Sequence, residues 1–67
     1  MIDMLKLDNA ISNVAESVGR NIGNYTPSSR IMNHMAAGLI CWEFNLDNDD
    51  VQYIREAWIH LSKFGHY

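Results

Sequence analysis

The sequence predicts an all-α protein, a compact three-helix domain with helices over residues 3–22, 27–44 and 49–64. Three observations carry this. Apolar residues recur every three or four positions in the first and third segments, the period of one helix face. Start signals precede the second and third segments: Thr26-Pro27, then Asp47 or Asn48 ahead of Asp49 and Asp50. The intervening turns are short, and no repeat, linker or low-complexity stretch divides the 67 residues, so residues 1–67 read as a single domain.

In the first segment Met4, Leu7, Ile11, Val14, Val18 and Ile22 form a stripe, with Ala15 beside them. Asn9, Ser12, Asn13, Glu16, Arg20 and Asn21 occupy the other side, which makes the helix amphipathic. Asp3 is the expected N-cap. Gly23 or Asn24 is the expected stop, since either tolerates the left-handed conformation of a helix end. Gly19 falls inside the helix, where it costs about 1 kcal/mol against Ala, and marks either a close helix approach or an early end.

The second segment opens on Thr26 as N-cap and Pro27 in the first turn, where a missing N–H costs nothing. The third is expected to bury Val51, Ile54, Ala57, Trp58 and Leu61 and to show Gln52, Arg55, Glu56 and Lys63 to water. Asp49 and Asp50 sit at its positive end.

Size and composition restrict what such a chain does. A domain this short hides only about 60% of the surface its unfolded form exposes, so it depends on tight helix packing, a metal, a disulfide or self-association. One cysteine, Cys41, forms no intramolecular disulfide. The stretch "MIDMLKLDN" resembles neither a secretory leader nor an Arg-rich transit peptide, and a cytoplasmic location is the expectation. The apolar run at 35–42 is far shorter than the ~20 residues of a spanning helix, so no membrane association is expected. With 48% hydrophobic and 19% charged residues the chain is globular in composition. A net charge of -3 removes the usual electrostatic attraction to nucleic acid.

The second segment carries more apolar surface than one core face needs. Ile31, Met32, Met35, Leu39 and Trp42 share one side, which is the expected core, with Trp42 and Trp58 as its aromatic anchors. Asn33, Ala37, Ile40 and Phe44 form a second stripe roughly opposite. The neighbours of a helix in a three-helix bundle lie on adjoining sides, so the second stripe is read as a contact surface outside the monomer core. The competing arrangements are a third helix that crosses over to cover it and a second helix that ends before Phe44.

Residues 14–33 are similar to a helix-turn-helix pattern. Ala15 and Gly19 keep the spacing, and Ser28, Ser29 and Arg30 would face a major groove. Against that pattern, the turn is about three residues too long, Ser28 stands where an apolar residue belongs, and five basic residues face eight acids. "DNDD" at 47–50 hints at a calcium loop, yet the sixth and twelfth positions hold Gln52 and Trp58 where an EF-hand needs Gly and Glu, so the acids read as helix caps. His34, His60 and His66 with Cys41 show no zinc-ligand spacing. His34 and Cys41, seven residues apart, stand about 10 Å apart along a helix, too far for proton transfer. No catalytic, metal-ligating or cofactor-binding residue is expected, and the chain is read as no enzyme.

The sequence thus points to a small non-enzymatic protein-binding module, an adaptor or inhibitor on a larger macromolecular partner, with self-association as a further route. Asn33, Ala37, Ile40 and Phe44 are its expected contact residues. The alternative is a helix-turn-helix DNA-binding regulator using Ser28, Ser29 and Arg30.

Overall fold

The computed structural model describes residues 1–20 and 29–67. Among them are three helices and no strand: α1 (Met4–Ser17), α2 (Arg30–Glu43) and α3 (Asp49–Phe64). Each pair of helices is in contact, and α1 packs most extensively on α3.

Local chemistry sets where the helices begin. Asp3 caps α1, its Oδ1 accepting from the backbone N–H groups of Leu5 and Lys6 at 3.1 and 3.2 Å. Asn48, one of the two residues expected there, caps α3 by accepting from the Val51 N–H at 3.0 Å. Asp49 and Asp50 then occupy its first turn. The expected start of the second helix at Thr26 and Pro27 lies outside the described residues; α2 is described from Arg30, with Ser29 at its N-cap position.

The first helix stops earlier than the stripe suggests. Gly19 adopts φ +70°, the Arg20 N–H donates to the Ala15 carbonyl at 2.9 Å, and the Gly19 N–H donates to the Glu16 carbonyl at 3.1 Å. That is a Schellman end, and Gly19 is its left-handed residue rather than an interior glycine. Ile22, Gly23 and Asn24 lie outside the described residues. α2 closes the same way. Asn45, at φ 53°, takes the left-handed position, and the Leu46 N–H donates to the Cys41 carbonyl at 2.9 Å.

The core is built largely by α1 and α3; of the five residues expected to be buried in the third helix, Val51, Ile54 and Ala57 are, while Leu61 is half-buried and Trp58 is partly open. Leu7, Ala10, Ile11, Val14 and Ala15 from α1 are buried, as are Val51, Ile54 and Ala57 from α3, with Met4, Val18, Leu46, Tyr53 and Tyr67 packed against them. Ile2 joins this core, and the Asp3 N–H donates to the Tyr53 hydroxyl at 2.9 Å, tying the chain start to α3.

α2 faces the other way from the sequence expectation. Its buried residues are Asn33, His34, Ala37, Ile40 and Cys41. Ile31, Met32, Met35, Leu39 and Trp42 are exposed, Trp42 by 88%. The two stripes exist, with inside and outside exchanged. Volume explains it. The largest fully buried side chains are Leu7, Ile11, Ile54, His34, Val14 and Val51, and five of the six come from α1 and α3. Two helices already supply the bulk of a thin core. The third fits at close-packed density with the face of lower volume, where Ala37 and Cys41 stand among Asn33, His34 and Ile40.

Candidate functional site

The outer face of α2 is an exposed apolar surface. Ile31, Met32, Met35, Leu39 and Trp42 lie within about 100° of one another around the helix axis, and each is exposed. No charged residue interrupts the sequence between Arg30 and Glu43. With fractional exposures from 38% to 88%, these five and Trp58 leave on the order of 700 Å² of side chain in water, taking about 200 Å² for a large side chain.

Trp58 extends this face onto α3. Its indole lies across α2 at Gly38, where a Cβ would overlap the ring, and its Nε1–H donates to the His34 carbonyl at 3.2 Å. One edge of the indole is therefore fixed against α2 and the rest stays open, at 38% exposure. Trp58 is thus a partly covered bridge between two helices, and Trp42 is no core anchor at all.

Two depressions flank the indole. One, of about 200 Å³, is lined by Gly38, Cys41, Trp42, Val51, Ile54, Arg55 and Trp58. Its walls are apolar apart from Arg55, whose guanidinium faces Asp47 at 3.5 Å. The second, of similar volume, is lined by Met35, Trp58, Leu61 and Ser62. Cys41 forms part of the first wall as a protonated thiol. Its burial pushes the pKa up, against the pull of Arg55.

Beneath the surface, His34 is fully buried and makes two hydrogen bonds. Its Nε2 lies 2.9 Å from the Ile54 carbonyl and its Nδ1 lies 2.9 Å from the Tyr67 hydroxyl. A carbonyl only accepts, so the proton sits on Nε2 and Nδ1 accepts from the tyrosine. Burial lowers the His34 pKa, outweighing the opposing effect of the Ile54 carbonyl.

The four residues expected to form a contact surface do not do so together. Asn33, Ala37 and Ile40 are in the core, and Phe44 is exposed beside the Arg20 guanidinium, 5.5 Å from its ring centroid. Neighbours on adjoining sides of α2 do not leave this stripe uncovered: it is the side that packs against α1 and α3. The Asn33 Nδ2 is buried without a hydrogen-bond partner among the described residues.

Two of the three residues proposed for a DNA-reading helix, Ser29 and Arg30, lie among the described residues. The Arg30 Nε faces Asp8 Oδ1 at 3.5 Å, so this charge is directed at α1. Ser29 is half-buried and Ser28 lies outside the described residues. Among the described residues no group of three or more His, Cys, Asp or Glu side chains is placed to hold a metal ion. No described helix is long and apolar enough to cross a membrane.

Compared with known proteins, the chain matches no family model, no curated protein and no solved structure.

Proposed function

We propose that this chain is a non-enzymatic protein-binding module whose contact surface is the outer face of α2 together with Trp58. One observation supports the reading: an uncharged helix face leaves roughly 700 Å² of large side chains in water, where the largest apolar patch of an ordinary monomer covers about 300–600 Å². The residue types fit as well. Tryptophan is enriched at binding hot spots, and methionine adapts its shape to a partner. An adaptor or inhibitor works in this way, by occupying a surface rather than transforming a substrate. The depressions beside Trp58 are small and open, and they suit a partner's side chain better than an enclosed reactant.

The test is site-specific photo-crosslinking in the native cell. A photoreactive residue replacing Met32 or Leu39 is expected to give a discrete protein adduct, and the same residue at the exposed polar position Glu56 is expected to give none. Equal labelling at both positions, or none at either, would remove the support for this reading.

A further inference from the structure

We propose that the occupant of the α2 face is a second copy of this chain, in a two-fold symmetric dimer through paired α2 helices. This rests on the reading of that face as a protein contact and names its partner. The area is the first argument. Two copies of the patch amount to about 1,400 Å², within the 1,200–2,000 Å² that a stable protein–protein interface buries.

The second argument is self-complementarity. A two-fold contact sets a patch against its own copy, so an uncharged apolar patch is complementary to itself and leaves no charge desolvated and unpaired. From Ile31 to Trp42 there is no charge. Antiparallel pairing also aligns the helix dipoles favourably and brings Glu43, at the C-terminal edge of the face, toward the positive end of the copy's α2. The third argument is the composition of the core. In a chain of 67 residues, two helices contribute most of the large buried side chains, while α2 turns Met32, Met35, Leu39 and Trp42 outward. Self-association is one of the few ways a domain this small gains further apolar burial. The depression bounded by Trp42, Gly38 and Trp58 gives a methionine or leucine of the copy a place to enter.

Sedimentation equilibrium of the full chain tests this, with tryptophan fluorescence as a second readout. The chain is expected to sediment at twice its 7.7 kDa mass at tens of micromolar. On dilution the Trp42 emission is expected to shift to longer wavelength as the dimer parts. Leu39→Glu, at a position 66% exposed in the monomer, is expected to keep its helical circular dichroism and weaken dimerisation at least tenfold. Met32→Glu, equally exposed, serves as the second variant should Leu39→Glu fail to fold. A chain that stays monomeric up to hundreds of micromolar would overturn the proposal, as would a dimer indifferent to both substitutions. Monomeric behaviour with a crosslinked adduct of another mass at Met32 or Leu39 would also overturn it, while sparing the broader reading of the face as a protein contact.

Discussion

The buried imidazole of His34 accepts a hydrogen bond from the Tyr67 hydroxyl at 2.9 Å through Nδ1, while its Nε2–H holds the Ile54 carbonyl. One neutral ring thus joins α2, α3 and the C-terminal residue. The Ile2 N–H donates to the Tyr67 carbonyl at 3.4 Å, so the chain start is tied in as well.

This arrangement gives stability a pH dependence with a definite sign. His34 has its pKa lowered by burial, so between its folded value and the ordinary 6.5 the unfolded chain binds more protons than the folded one. The contribution is therefore complete above pH 6.5 and declines as pH falls through that value toward the folded pKa. Tyr67 has its pKa raised, first by burial, so its contribution is complete below its ordinary value of 10 and declines above it. Urea midpoints are expected to be level from about pH 7 to 9 and to fall between pH 6.5 and 5. His34→Gln should flatten the acid limb, and Tyr67→Phe the alkaline one. A wild-type midpoint unchanged from pH 7.5 to 5.5 would contradict the neutral buried ring.

The open face of α2 and the closed core make opposite predictions for substitution. Trp42→Ala, on the open face, is expected to change the stability of the monomer by no more than about 0.5 kcal/mol, as for an ordinary surface substitution. Ile54→Ala, in the closed core, is expected to cost about 2–5 kcal/mol. Denaturant unfolding at a concentration below dimerisation distinguishes them. A Trp42→Ala loss as large as that of Ile54→Ala would place Trp42 in the core and reverse the orientation of α2.

Ile40→Glu tests the same orientation from inside. Ile40 is 7% exposed, and a carboxylate there would be buried without a partner. The variant is expected to lose its helical circular dichroism at neutral pH. A folded Ile40→Glu protein would restore the sequence-based view that this stripe lies outside the core.

How much of this was legible in the sequence differs by helix. In α1 and α3, large residues such as Leu7, Ile11, Val51 and Ile54 fall on one side, and periodicity identifies that buried side, although Trp58 and Leu61 on the same stripe of α3 stay partly open. In α2 both faces are apolar, so periodicity shows two stripes and does not say which is buried. Hydrophobic strength favours Met35, Leu39 and Trp42, whereas packing selects the smaller set because α1 and α3 have already filled the space. His34 was missed as a core residue because an imidazole reads as polar until its two partners are known. Its spacing from Ala37 and Cys41, three and seven residues, was the available signal. Gly19 shows a related effect: a stripe extending to Ile22 predicted a longer helix, and a left-handed glycine ends it first.

Gly38 yields the sharpest prediction, because two effects of known sign compete there. Alanine is a better helix former than glycine by about 1 kcal/mol, so Gly38→Ala would stabilise an unobstructed helix. Here a Cβ would overlap the Trp58 indole and displace its Nε1–H from the His34 carbonyl. Overpacking of this kind costs about 1–3 kcal/mol, and the lost hydrogen bond adds about 1 more, so Gly38→Ala is expected to destabilise the wild-type protein. In a Trp58→Ala background the obstruction is gone, and Gly38→Ala is expected to change sign and stabilise by about 1 kcal/mol. A double-mutant cycle of urea unfolding over the four proteins measures this coupling directly. Additive effects across the cycle would mean that Trp58 does not rest on the backbone of α2, and the extension of the contact face onto α3 would fall with it.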